Sequence, residues 1–392
     1  MNHKVNILKK SDIEVFDGQV PTELSSIYMA GADVGELEIE YVTDALRNGW
    51  YDNKYYYCET LEKEFAEYHN RKYALMTPNC TSAIHLILAA LGVDNNSEVI
   101  VPECTWIASI VSSIHLGAKI RFCDIEKDTW CLDPESVRNS ITKNTKAIIV
   151  VDLFGNMANW EELEKISQEY NVPLIEDAAE ALGSKLNNRR AGNFGLASTF
   201  SFHNTKTMTT GEGGMLLLDD DELFSKCVKF RDLGRGPDTK PYFNDLIGYK
   251  FMPFNVQAAL GLAQFRRIEE LIEIKRKHLN FYRNELSSLD LQFNHEPENV
   301  FNGAWITAVV LDKSYNMDKT TLINRLQDIG IPSRPFFYPL SCLPPFDLED
   351  EYKNKNKNSY DISNRGINLP GASNLTDENL KFVCDGIKKV LS

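Results

Sequence analysis

One alternation restricts the fold of this chain more than any other feature. Between residues 82 and 202, stretches of helical rhythm take turns with short runs rich in Val and Ile. SAIHLILAALGV (82–93) reads as a buried helix, and EVIVPECTW (98–106) as a strand entering a loop. IASIVSSIHLGA, KIRFCDI, PESVRNSI, KAIIVVDLFG, NWEELEKISQEYN and VPLIEDAAEAL continue as helix, strand, helix, strand, helix, strand. LASTFSF closes the series as another strand. Parallel strands need crossovers, and a helix is the usual one. The expectation is an α/β chain on a mostly parallel, mixed sheet flanked by helices.

The flanks differ. Residues 1–30 are weakly patterned and read as an N-terminal arm. ELEIEYVTDALRNGW (36–50) has a helical rhythm ending near Gly49, and ETLEKEFAEYH (59–69) repeats it in part. QAALGLAQFRRIEELIEIKRKHLNFYRNEL (257–286) reads as one helix about 45 Å long. Beyond it, AWITAVVL suggests a strand, and KTTLINRLQDIG and DENLKFVCDGIKKVL suggest helices. EDEYKNKNKNSYD (349–361) reads as a charged, Asn-rich surface loop. The expected division is the arm, a large α/β domain over 31–265, and a long helix with a smaller α+β domain over 266–392.

Bulk properties exclude several roles. A net charge of −14 argues against a nucleic-acid partner, which calls for a basic surface. No run approaches ~20 apolar residues, so no membrane span is expected. The first 18 residues lack an apolar core of signal-peptide length. The eight cysteines contain no Cys-x-x-Cys pair, so neither a metal nor an iron–sulfur cluster is expected. Reduced thiols point to the cytoplasm.

Three loops fall where parallel strands end, the usual place for ligands. Thr77-Pro78-Asn79-Cys80-Thr81-Ser82 opens a helix, and its free amides suit an anion; a plain N-cap by Asn79 or Thr81 is the alternative. Asp177 ends an apolar strand, so its carboxylate needs a cation: a protonated ring nitrogen or a structural arginine. Lys206 follows the strand STFSF and precedes TTGEGG. Buried, it is a nucleophile or Schiff-base former; exposed, it is a solvated charge. The glycines let backbone approach a ligand or a strand, and no Gly-Lys-Ser/Thr follows to make a Walker loop. Together the three loops meet the needs of pyridoxal 5′-phosphate: donors for phosphate, a carboxylate for the pyridine nitrogen, an amine for the aldehyde.

From about Gly35 to the C-terminus the sequence resembles the DegT/DnrJ/EryC1/StrS family of sugar aminotransferases, enzymes of the fold type I pyridoxal-phosphate class. The resemblance rests on EVIVPECTWIAS, GAKIRFCDIEKDTW, TKAIIVVDLFGN, PLIEDAAEALGSKLNNRRAGNFGLASTFSFH and above all SFHNTKTMTTGEGG. SRPFFYP and NSYDISNRGINLP look most like the perosamine-forming branch, which aminates a GDP-linked 4-keto-6-deoxymannose.

The resemblance implies roles. Lys206 bonds the cofactor aldehyde, then moves a proton between cofactor and sugar carbons. Asp177 pairs with the pyridine nitrogen, Ser201 binds phosphate, and Trp106 stacks on the ring. Glu180 stands near the cofactor hydroxyl, where most of the family has Gln. Cys80 and Thr81 match a Gly-Thr at the phosphate-binding helix; Cys80 departs from the Gly. Lys250 departs too, standing where an Asn reaches phosphate from the partner subunit; as a cation it suits the same anion. Arg334, Phe336 and Tyr338 lie in the segment that faces the sugar, and Trp50 and Tyr51 near the nucleotide site. These five could equally be core. His203 positions substrate or packs.

The implied reaction moves an amino group from L-glutamate to the keto carbon, C4, of a nucleotide-linked 4-keto-6-deoxy sugar, with pyridoxamine 5′-phosphate as the intermediate cofactor form. The implied assembly is a homodimer with shared active sites, and the setting is O-antigen or other polysaccharide biosynthesis. A C3 aminotransferase or one using a dTDP or UDP sugar is the alternative. Sugar dehydratases of this fold carry His in place of the lysine, so Lys206 argues against that chemistry, and with Asp177 and Ser201 against a non-catalytic regulator.

Overall fold

The computed structural model describes residues 27–237 and 239–392, so most of the expected N-terminal arm lies outside the described residues. Seven strands form the main sheet: β1 (Tyr73–Thr77), β2 (Glu98–Pro102), β3 (Lys119–Cys123), β4 (Thr145–Val151), β5 (Leu174–Asp177), β6 (Ala197–Ser201) and β7 (Gly214–Leu218). Their order is β1-β7-β6-β5-β4-β2-β3. The four pairings from β6 across to β3 are parallel, and β7 runs antiparallel to both its neighbours. β2, β5 and β7 are buried along their whole length. That burial accounts for continuous apolar runs in place of a two-residue alternation: both faces are covered by helices.

The helices Cys80–Ala90, Ala108–His115, Pro134–Ser140 and Trp160–Tyr170 supply the crossovers. Cys80–Ala90 is apolar on nearly every side because it lies between the sheet and the helices Ala108–His115 and Asp221–Arg231. Its first turn therefore sits at the carboxyl edge of the sheet, facing what lies beyond the strands.

A second, smaller core gathers Tyr282, Val309, Leu322, Leu326, Ile367, Val383 and Ile387. Around it is an antiparallel sheet of Leu291–Phe293, Ala308–Leu311, Gly366–Asn368 and Arg334–Pro335, in that order, with the helices Lys319–Asp328 and Asp377–Leu391. The whole is α/β, with a smaller C-terminal α+β part.

Two expectations are corrected. The single long helix is two, Asn255–Arg266 and Ile268–Glu285, broken at Arg267 (φ −115°, ψ 23°). The break lets the Arg267 guanidinium pair with Asp33, Glu38 and Glu270, and lets the second helix leave for the smaller core. The Asn-rich stretch 349–361 is largely helical, not a surface loop. Carboxylates of the large core draw its polar residues inward: Asn356 donates to Glu103 Oε2 (2.6 Å), and Ser359 to Asp124 Oδ1 (2.8 Å). Among the described residues no helix is long and apolar enough to cross a membrane.

Candidate active site

Chain leaving β1, β2, β4, β5 and β6 at their carboxyl ends meets around one cavity of about 890 Å³. Segment 334–338 of the smaller part closes one wall. Lys206 enters from the loop after β6. Its side chain is 13% exposed, and Nζ donates to Glu180 Oε1 at 3.3 Å. The ring of Trp305 lies 3.7 Å from the same nitrogen, held by its own indole N–H on Thr205 O (2.7 Å). A cation on an aromatic face beside a carboxylate is fixed in direction and shielded from water.

Glu180 is buried. Phe154 N donates to its other oxygen (3.0 Å). Burial pushes its carboxyl above the usual range, and the Lys206 ammonium and the Phe154 amide oppose that rise. Asp177, at the end of β5, is also buried. Its oxygens accept from Ser109 Oγ (2.7 Å) and Ala179 N (3.1 Å), and the Cys80 thiol lies 3.9 Å away. Thr105 Oγ1 stands 3.2 Å from Ser109 Oγ and extends the chain of hydroxyls. Burial raises the Asp177 pKa, and its hydrogen bonds restrain it. Among the described residues Asp177 forms no salt bridge. A cation presented by a ligand would favour its charged form.

The helix Cys80–Ala90 aims its first turn at the same cavity. Asn79 caps it, its side chain accepting from Ser82 N (2.8 Å). The amides of Cys80 and Thr81 have no acceptor among the described residues, so they are available to an anion. The glycine run explains the close approach. A Cβ on Gly214 would lie 2.4 Å from Asn79 C and 2.5 Å from Cys80 N, so β7 reaches the helix start only without a side chain. Ser201 borders the cavity beside His203, whose amide lies 3.3 Å from Ser201 Oγ.

The sequence model of the DegT/DnrJ/EryC1/StrS aminotransferase family matches residues 32–388. The chain belongs to that family. It is 37% identical over 352 residues to GDP-perosamine synthase of Vibrio cholerae, covering 90% of this chain and 95% of that one. It is 36% identical to GDP-perosamine synthase of Escherichia coli O157:H7, with coverages of 91% and 96%. Among solved structures, Spr1654 of Streptococcus pneumoniae in its PLP form superposes with a TM-score of 0.85 at 25% identity, covering 93% of this chain and 98% of that one.

Pyridoxal phosphate, the cofactor of this aminotransferase family, fits the groups present. Asp177 is a buried acid suited to a ligand cation, the Cys80 and Thr81 amides suit an anion, and Lys206 is an amine in the same cavity. Trp106, His203, Arg334, Phe336 and Tyr338 border the same cavity. The Trp106 ring lies 6.0 Å from the Phe337 ring at the cavity wall, and Phe336 is buried against Trp130 and Phe154. Three expected residues lie elsewhere in this chain. Lys250 is exposed and pairs with Asp232 (2.6 Å). The indole of Trp50 donates to Leu46 O (2.9 Å), and Tyr51 is 91% exposed. Trp305, Ser109 and Phe337 are site residues that sequence reasoning missed. Trp305 stands in AWITAVVL, read as a strand, but lies ahead of the strand itself, Ala308–Leu311. Ser109 carried a usable signal: it lies four residues after Thr105, just past the end of β2.

Proposed function

We propose that this aminotransferase transfers the amino group of L-glutamate to C4 of a GDP-linked 4-keto-6-deoxy sugar, leaving 2-oxoglutarate and a 4-amino sugar nucleotide. The placement of Lys206 between Glu180 and Trp305, in the same cavity as Asp177, carries the reading. The choice of sugar is supported by the two perosamine synthases, which share more than a third of their residues with the chain over nine-tenths of its length.

Pyridoxal phosphate, when bound, supplies the carbonyl that carries the amino group and the ring that draws electrons from the reacting carbon. Lys206 Nζ takes the proton from the α-carbon of glutamate and returns one to C4 of the sugar. Glu180 Oε1 holds Nζ in line between these tasks. The Trp305 face keeps water from it. Asp177 orients and charges the ring nitrogen, and Ser109 fixes the Asp177 carboxylate. The Cys80 and Thr81 amides and the Ser201 hydroxyl bind phosphate. Arg334, Phe336, Tyr338 and His203 meet the sugar nucleotide.

A homodimer with shared sites completes the reading. Supporting it, Trp50, Tyr51, Tyr56, Tyr242, Phe243 and Ile247 leave large apolar surface exposed. Lys250, Trp50 and Tyr51 lie off this chain's cavity, and in the dimer they would serve the partner subunit's site.

The test is a coupled assay with pyridoxal phosphate, glutamate, and GDP- or dTDP-linked 4-keto-6-deoxy sugars, products read by mass and NMR. Amine at C4 of the GDP sugar supports the proposal. Reaction with the dTDP sugar alone overturns the GDP assignment, and no reaction with either overturns both.

A further inference from the structure

Lys319 is a buried lysine that the reaction above does not use. It opens the helix Lys319–Asp328 and is 4% exposed. Among the described residues it forms no salt bridge. A desolvated ammonium without a carboxylate costs stability, and an apolar side chain of its length would pack there more cheaply. Burial accordingly brings its pKa down to about 8.

Its contacts go to one place. Nζ donates to Phe336 O (3.0 Å) and to Ser363 Oγ (3.0 Å). Ser363 Oγ in turn donates to Phe337 O (2.6 Å), which also accepts from the Cys104 thiol (3.0 Å). The same Nζ lies 3.6 Å from the ring centroid of Tyr338. Three consecutive wall residues are thus tied to one ammonium: Phe336 by its carbonyl, Phe337 by its carbonyl through Ser363, and Tyr338 by its ring. Tyr338 is 49% exposed and borders the cavity, and Phe337 stacks on Phe154 at 5.4 Å.

We propose that Lys319 is a positioning residue for the sugar-bearing substrate: it anchors the Phe336–Tyr338 wall from behind and thereby sets the affinity of the cavity for that substrate. The inference rests on the functional reading above, which places the sugar nucleotide at this wall. Lys319 makes no hydrogen bond to Lys206 or Asp177, so its removal is expected to act on the sugar half of the reaction more than on the glutamate half.

The experiment compares holoenzymes of wild type and Lys319→Met. Three quantities are read: KM and kcat for GDP-4-keto-6-deoxymannose, the rate of the cofactor absorbance change on adding glutamate alone, and Tm. The expected result is a KM for the sugar nucleotide raised about tenfold, with kcat and the glutamate step within about twofold. Lys319→Arg, which keeps a cation under Tyr338, is expected to recover most of the loss. An unchanged KM overturns the proposal, and so does an equal fall in both half-reactions, which would mean general loosening. If Lys319→Met does not fold, Ser363→Ala takes its place: it removes the bond to Phe337 O and should raise the same KM by a smaller factor, while an unchanged KM overturns the proposal. A wild type that aminates no keto sugar overturns the functional reading and this proposal with it; amination that Lys319→Met leaves untouched overturns this proposal alone.

Discussion

Lys206 Nζ and Glu180 Oε1 stand 3.3 Å apart, and both side chains are almost wholly buried. The pair has one ionic hydrogen bond, long for its kind, and little water to weaken it. Replacing the amine therefore removes the proton carrier. Lys206→Ala is expected to lower turnover by about 10²–10⁴-fold or more. Borohydride reduction of the wild-type holoenzyme should fix a pyridoxyl group on Lys206, seen as a mass gain on its peptide. A gain on any other lysine of the wild type would remove Lys206 from its assigned role.

Ser109 gives Asp177 its shortest hydrogen bond, 2.7 Å, and burial pushes the acid toward its neutral form. Removing a hydroxyl that donates to a charged group costs about 1.5–3 kcal/mol. Ser109→Ala should therefore weaken pyridoxal phosphate binding roughly ten- to hundredfold, read by absorbance titration. The sign of the pH effect follows. Without the donor, the Asp177 pKa rises further, so the acid limb of the activity profile moves to higher pH. Ser109→Thr keeps the hydroxyl and should keep both properties. Wild-type affinity in Ser109→Ala would show that Ala179 N suffices.

Gly214 tests the anion site through its backbone. An added Cβ would press on Asn79 C and Cys80 N at 2.4 and 2.5 Å, both main-chain atoms that cannot swing aside. Gly214→Ala should cost about 1–3 kcal/mol of stability by overpacking. It should also push the helix start away from the cavity, so affinity for inorganic phosphate falls along with Tm. Loss of Tm with phosphate affinity intact would separate the strand contact from the anion site.

Much of this site was legible because strand ends are legible. Asp177 and Ser201 close apolar runs, Cys80 and Thr81 open a helix after another, and a parallel sheet carries all such ends to one edge. What pattern could not reach was side-chain direction across the small domain. Trp305 reads as part of the strand AWITAVVL, yet the strand starts at Ala308, and only the folded chain sets the Trp305 ring against Lys206. Arg267 is an ordinary helix former, so its break was invisible; the cause is a set of distant carboxylates, Asp33 and Glu38. Residues 349–361 look like a solvated loop because Asn and Lys dominate, yet Glu103 and Asp124, more than two hundred residues earlier, order them. Lys250, Trp50 and Tyr51 were placed by family resemblance, Lys250 as a residue reaching the partner subunit's site, and all three lie off this chain's own cavity.

His69 links burial to acid stability. Its Nδ1 lies 2.8 Å from Phe65 O, its Nε2 is buried without a partner among the described residues, and the ring packs between Phe65 and Phe200. Burial holds the imidazole down at about 3 from an ordinary 6.5. A depressed histidine means that the folded state refuses a proton the unfolded chain accepts. The stability from keeping this ring neutral is complete above pH about 6.5. It is lost as pH falls from there toward about 3, at up to roughly 1.4 kcal/mol per pH unit. Buried acids such as Glu103, whose pKa is raised, act in the opposite sense, so the total slope mixes several groups. The difference between wild type and His69→Phe isolates the ring, since Phe keeps the aromatic packing and takes no proton. Urea unfolding at pH 7, 6 and 5 should show the variant losing less stability per pH unit than wild type, with the gap widening below pH 6. Parallel curves would mean that His69 is protonated in the folded protein or that water reaches Nε2.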